Sequence, residues 1–231
     1  MNTNDHMPEV GIPPGGYILC GGQSRRFGSD KARQLIDDHP LITHVARQLD
    51  PACGNVWAIA DRPDKYQDLG LSTLADLRPG QGPLGGLHTA LAHAAERGTS
   101  PWIVLASCDQ TRIEPVWLSL FRELLADQPQ ARAVLFRETS AFRKSPYLWH
   151  PFPGMYHIDL LPRVNAQLER GERALQAFLA SLRDLLVAVP LPADWPAIPQ
   201  INTPVELALW RLEAARLGSE TGAKREIQAS E

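Results

Sequence analysis

A strand that ends in glycines and is followed by clustered cations can bring bare backbone N–H groups and positive side chains against a polyphosphate. This sequence has such a segment: the apolar run Tyr17-Ile18-Leu19-Cys20 leads into Gly21 and Gly22, then Arg25, Arg26, Gly28, Asp30 and Lys31. The spacing is not that of the Walker loop, because five residues separate Gly22 from Gly28 and Ser29-Asp30 intervene before Lys31. Nor is it the dinucleotide fingerprint, since no Gly-x-Gly opens it. Taken alone, the segment is equally a strand-to-helix turn with solvated arginines.

Three further features follow apolar runs. Ser107-Cys108-Asp109 comes directly after Trp102 to Ala106 and delivers a carboxylate to a strand end. A carboxylate there suits Mg2+, a hard cation that often binds one or two carboxylates together with substrate phosphates; the ordinary alternative is that Asp109 caps a helix beginning near Ile113. Gly82-Pro83-Leu84-Gly85-Gly86 is a small-residue turn opening a helix, where a flat ligand can approach the backbone. Asp76 follows the short run Leu71 to Leu74, and an acid at a strand end can accept hydrogen bonds from a sugar or base.

Other chemistries find little support. The seven histidines contain no His-Glu-x-x-His, and His88 and His93 are too far apart to share a helical face. No Gly-x-Ser-x-Gly elbow occurs, and Ser107 has no evident base. Cys20, Cys53 and Cys108 form no Cys-x-x-Cys pair, and Cys20 and Cys108, at the ends of predicted strands, read as small buried hydrophobes.

The elements that must position these residues alternate. Strand-length apolar runs at Tyr17 to Cys20, Val56 to Ala60, Trp102 to Ala106 and Ala133 to Phe136 are separated by helical patterns such as Leu41 to Leu49 and Leu84 to Ala95. That alternation predicts crossover units and a largely parallel sheet, at whose carboxyl edge ligands bind where the strand order reverses. Val116, Trp117, Leu120, Phe121, Leu124 and Leu125 mark the core face of a further helix. Beyond Phe136 the spacing predicts a short run at Tyr147 to His150, helices over Met155 to Glu169 and Arg173 to Leu182, and a strand over Leu185 to Val189. Thr203, Pro204 and Glu206 supply an N-cap, a first-turn proline and a capping-box acid for a last helix.

The 231 residues are 44% hydrophobic and 21% charged, as in ordinary globular proteins. A net charge of -3 argues against a general nucleic-acid binder. No apolar run approaches a membrane span, and the cysteine usage and polar N-terminus predict a cytoplasmic protein. The expected organisation is a flexible segment over 1–15, one domain over 16–216 and a disordered tail over 217–231.

Taken jointly and in order, Leu19-Cys20-Gly21-Gly22, Arg26-Phe27-Gly28, Asp30-Lys31, Gly82-Pro83-Leu84-x-Gly86, Ser107-Cys108-Asp109 and Asn202-Thr203-Pro204 resemble the molybdenum cofactor guanylyltransferase family. The resemblance runs from Gly16 to about Trp210. It implies a single-domain, three-layer Rossmann-like nucleotidyltransferase fold that joins GMP from GTP to the phosphate of molybdopterin and releases pyrophosphate. Leu19, Cys20, Gly21 and Gly22 would then line the nucleotide with Gly82, Pro83 and Leu84; Asp76 and Lys31 would contact it, and Asp109 would hold Mg2+. Lys31, Arg26 and Asp109 would form the catalytic set, with Ser145, Pro146 and Asn202 on the pterin side. The implied partners are GTP and molybdopterin, with molybdoenzymes or their chaperones as receivers.

The nucleotide half matches the family pattern more fully than the acceptor half. Cys20 replaces the usual alanine, and Ile59 stands where some members have an asparagine near the guanosine, with Asp61 a nearby substitute. Ser145 and Gln200 depart from the pattern on the pterin side, and Gln110-Thr111 replaces a proline-containing turn. Two other readings stay open: a sister nucleotidyltransferase, making the cytosine dinucleotide or activating a sugar phosphate, and a catalytically silent relative that binds nucleotide or pterin.

Overall fold

The computed structural model describes residues 12–21, 30–36, 38–139, 148–213 and 216. Among them the chain order is β1 (Gly15–Leu19), β2 (Leu35–Ile36), β3 (His39–Pro40), α1 (Leu41–Leu49), β4 (Asn55–Ala60), β5 (Ser72–Ala75), α2 (Gly82–Arg97), β6 (Trp102–Ser107), α3 (Pro115–Ala126), β7 (Ala133–Arg137), β8 (Trp149–His157), α4 (Leu161–Glu169), α5 (Leu175–Ser181) and β9 (Leu186–Pro190). Residues 204–213 form a further helix.

Seven strands make one sheet in the order β5-β4-β1-β6-β8-β7-β9. β8 pairs antiparallel with both its neighbours, and the other pairings are parallel. Side chains alternate across the strands and so feed two cores. Ile18 faces the layer that contains Ile42, Val45 and Leu49 of α1 and Trp117 and Phe121 of α3. Tyr17 and Leu19 face the opposite layer, with Leu84, Leu87 and Leu91 of α2, Val164 of α4 and Phe178 of α5. The result is a three-layer, mostly parallel α/β fold of Rossmann-like type, as the alternation predicts.

The chain moves from β1 outward to β4 and β5, then returns through α2 to lay β6 on the other side of β1. The strand order therefore reverses between β1 and β6, and the crevice at their carboxyl ends is the expected ligand position. Gly21 follows β1 there and Asp109 follows β6.

Two elements depart from the sequence reading: on α3, Val116 and Leu120 are exposed and Leu118 joins Trp117 and Phe121 in the core instead. The predicted helix over Met155 to Glu169 begins too early: Met155, Tyr156 and His157 complete β8, and α4 starts at Leu161. Met155 packs into one core and Tyr156 into the other, the signature of a central strand buried on both faces. None of the helices among the described residues is long and apolar enough to cross a membrane. The predicted flexible segment and tail, over 1–15 and 217–231, lie mainly or wholly outside the described residues.

Candidate active site

Asp109 gets its place from the sheet. Cys108 N–H donates to the Leu19 carbonyl at 3.1 Å, which extends the β1–β6 pairing one residue past the strand end. The following turn is closed by Gln110, whose Oε1 accepts from Ser107 N–H at 3.0 Å. The expected alternative role is excluded: α3 begins at Pro115 with Glu114 at its cap position, so Asp109 lies too far upstream to cap it.

Lys31 arrives from the other side of the crevice, 78 positions earlier in the chain. Asp30 caps the short 3-10 turn Lys31–Arg33 by accepting from Ala32 N–H at 3.1 Å. Its carboxylate also accepts from the Tyr66 hydroxyl at 3.1 Å and lies 3.4 Å from Lys65 Nζ. Those contacts anchor the turn that presents Lys31, whose Nζ sits 2.6 Å from Asp109 Oδ2 and donates to Asn202 Oδ1 at 3.2 Å.

The ion pair leaves half of the carboxylate unused. Asp109 is 7% exposed, yet its Oδ1 is buried with no hydrogen-bond partner among the described residues. A buried charged oxygen without a partner is costly unless a cation or donor completes it. No cluster of three or more His, Cys, Asp or Glu suited to a metal occurs among the described residues. One orphaned carboxylate oxygen, a hard donor, fits a cation whose remaining ligands come from phosphates and water.

The glycine-rich residues divide by role. Gly21 follows β1 exposed, with nothing among the described residues within 4 Å of a Cβ built there. Leu19 and Cys20 are buried and hydrogen-bonded through their backbones, so any approach of a ligand to them is over the main chain. Gly82 and Pro83 are exposed in the first turn of α2, Gly82 at φ 66°, where a side chain would be strained. Leu84, by contrast, is fully buried in the core with Leu19. The turn assigned to Gly82–Gly86 is thus already helical, and two of its glycines are packing devices. A Cβ on Gly86 would lie 2.6 Å from Leu19 Cδ2, and one on Gly85 would lie 2.8 Å from the Arg78 carbonyl oxygen. Gly85→Ala should therefore cost about 1–3 kcal/mol through overpacking, read as a lowered denaturation midpoint; an unchanged midpoint would mean that residues 78–81 yield freely.

Asp76 follows β5, and its Oδ1 accepts from Arg78 N–H at 3.0 Å and from the Thr89 hydroxyl at 2.9 Å. Those bonds tie the β5 end to α2 and fix the carboxylate at the sheet's edge. Ile59 is buried in the core and cannot supply a polar contact. Asp61 is exposed and ion-paired with Lys65 at 2.8 Å, which holds its carboxyl below the usual range.

The Cys20 thiol is pushed well above its ordinary pKa by burial and by a hydrogen bond with Cys108. It remains protonated near neutrality, in keeping with its reading as a small buried hydrophobe. Gly22, Arg26, Ser145 and Pro146 fall outside the described residues.

Asn202, assigned by resemblance to the pterin side, lies against Lys31. A backbone seam brings it there: Gln110 and Gln200 form a β-bridge, Ile201 N–H donates to the Asp109 carbonyl at 2.9 Å, and Thr111 N–H donates to the Pro199 carbonyl at 3.2 Å. The sequence marks Asn202-Thr203-Pro204 as a motif but carries no signal that this segment joins the strand end after β6.

The chain also has recognisable relatives. The MobA-like NTP transferase domain matches residues 16–185. A probable molybdenum cofactor guanylyltransferase of Deinococcus radiodurans is 36% identical over 198 residues, covering 85% of this chain and 93% of the relative. Another, of Synechococcus elongatus, is 33% identical over 194 residues, covering 78% and 95%. Among solved structures, molybdopterin-guanine dinucleotide biosynthesis protein A of Archaeoglobus fulgidus superposes with a TM-score of 0.65 at 19% identity, over 87% of this chain and 99% of that one. A CMP:2-keto-3-deoxy-manno-octonic acid synthetase complexed with CTP gives 0.66 at 17% identity, over 88% and 99%. At these identities the structural likenesses establish the fold, whereas the sequence matches reach further. With its motifs in order and its relatives matched nearly end to end, this chain belongs to the molybdenum cofactor guanylyltransferase family of MobA-like NTP transferases and is a nucleotidyltransferase.

Proposed function

We propose that the chain transfers GMP from GTP to the phosphate of molybdopterin, forming the guanine dinucleotide form of the molybdenum cofactor in the cytoplasm. An oxygen of the acceptor phosphate would bond to the α-phosphorus of GTP as the bond to the β-phosphate oxygen breaks, and pyrophosphate would leave with the electron pair. The observation that carries this reading is the Lys31–Asp109 pair with its orphaned Asp109 Oδ1 at the β1/β6 reversal point. The names of the sequence relatives support the choice of substrates.

Joining two anionic phosphates is slow because like charges must meet and negative charge must depart on pyrophosphate. Mg2+ held by Asp109 would supply positive charge where the phosphates crowd. Lys31, already placed within 2.6 Å of Asp109, would add a second positive charge, and Arg26 a third. Gly21 and Gly22 would offer backbone N–H groups to the nucleotide, and Gly82 and Pro83 would leave room for its flat base. Asp76 would accept from the sugar or base. Ser145 and Pro146 are assigned to the acceptor side, with the receiving molybdoenzymes or their chaperones taking the product. No protein nucleophile is needed, because the acceptor phosphate itself attacks.

Base choice separates this reading from the sister enzyme that would use CTP. With purified molybdopterin as acceptor, pyrophosphate release from GTP should exceed that from CTP and ATP by at least about tenfold, since a site that hydrogen-bonds one base leaves its polar groups unpaired with another. Equal turnover of CTP and GTP would sink the guanylyl assignment. Nucleotide binding with no turnover would favour the silent relative.

A further inference from the structure

The acid that caps the last helix reaches further than a cap requires. In a capping box the acid at the third helical position returns to the backbone N–H of the cap residue itself. Here the cap is Thr203, whose hydroxyl oxygen accepts from Glu206 N–H at 3.1 Å. Glu206 Oε2 accepts instead from the N–H of Asn202, one residue beyond the cap, at 2.6 Å, and also from the Thr203 hydroxyl at 3.1 Å. Asn202 is the residue whose Oδ1 meets Lys31 Nζ. On its other side the chain is pinned by the bond from Ile201 N–H to the Asp109 carbonyl, with Ile201 fully buried. The backbone that carries the Asn202 side chain is thus held from both ends, by the Asp109 strand end and by Glu206.

We propose that Glu206 is a positioning residue for Lys31, acting through Asn202. The inference rests on the reading of Lys31 as the nucleotide-phosphate contact. In the free enzyme Lys31 has the Asp109 carboxylate as an anchor. If a metal–nucleotide complex were to draw on that carboxylate through Oδ1, Asn202 Oδ1 would still hold the ammonium in its direction toward the phosphates. Asn202 Oδ1 is a neutral acceptor that steadies the ammonium without cancelling its charge. An uncapped Asn202 would still touch Lys31, but its backbone would sample several positions and the ammonium with it. Glu206 therefore sets the precision of a contact it does not make.

The test compares Glu206→Ala, Glu206→Gln, Asn202→Ala and the Glu206→Ala/Asn202→Ala double variant in the full chain. Melting curves, Mg2+-dependent GTP affinity by calorimetry and steady-state turnover with molybdopterin are read for each. Glu206→Ala should lose about tenfold in kcat/KM for GTP, the scale of a hydrogen bond to a charged group. Glu206→Gln keeps the acceptor oxygen and should stay within about threefold of wild type. The double variant should be no worse than Asn202→Ala, because the two residues act in one line. A folded Glu206→Ala protein with wild-type kcat/KM would overturn the inference, as would a loss that adds in full to that of Asn202→Ala, which would mark Glu206 as a helix cap only. Should the melting curve of Glu206→Ala show an unfolded protein, Glu206→Gln and Asn202→Ala decide: loss in Asn202→Ala supports the line of action, and its absence ends it. Wild-type protein that binds GTP but releases no pyrophosphate would instead overturn the guanylyl reading, and GTP affinity across the same variants would then decide the positioning role.

Discussion

Asp109→Ala should lower turnover by on the order of 100-fold or more while leaving the protein folded, the scale expected when a single electrostatic stabiliser of a transition state is lost. The fold should survive because the residue's structural bonds are made by its backbone: Ile201 N–H reaches its carbonyl, and Cys108 N–H holds the preceding position to β1. What the side chain contributes is the ion pair with Lys31 and an oxygen, Oδ1, that nothing among the described residues satisfies. Removing a partly buried ion pair should cost about 1–2 kcal/mol, softened here because the substitution also removes the orphaned oxygen. Asp109→Asn refines the result, since it keeps the volume and loses the charge; it should be nearly as slow as alanine. Turnover of Asp109→Ala near the wild-type rate in the presence of Mg2+ would show that the metal is held elsewhere.

Much of this architecture is legible because the physics acts locally. The run at Trp102 to Ala106 is short and apolar and is followed by the helix-period stripe of α3, so a crossover to the run at Ala133 to Phe136 and a parallel sheet follow. Asp109 stands out for the same reason, as a carboxylate directly after the most apolar of these runs. β8 was harder to read because Pro151 and Pro153 interrupt it, and proline inside a run argues against a central strand. The structure accommodates both where the β7–β8 register shifts: Phe136 pairs with His150 and Leu135 with Gly154, so neither proline is asked for a ladder hydrogen bond. The contacts among Lys31, Asp109 and Asn202 span 78 and 171 positions and depend on a β-bridge outside the named strands. Periodicity carries no trace of such a bridge. Glu206 illustrates the limit well: its type and spacing announce a helix cap, and only the position of Asn202 turns the same carboxylate toward the site.

Lys31→Ala should act differently from Asp109→Ala, because a cation that meets the phosphates does so before the reaction as well as during it. GTP affinity should fall by about tenfold and turnover by about 100-fold, combining ground-state and transition-state losses. The free protein should respond too. Asp109 would be left as a mostly buried carboxylate without its ion-pair partner, which should lower stability by about 1–3 kcal/mol. Mg2+ offers a check that no simple loss of packing would reproduce. Lys31 and a cation at Asp109 compete for the same carboxylate, so the metal alone should raise the melting temperature of Lys31→Ala more than that of wild type. The same addition should leave Asp109→Ala unmoved. If Mg2+ stabilises all three proteins equally, it does not bind at Asp109, and the Lys31–Asp109 pair is a structural bridge rather than the charged centre of the site.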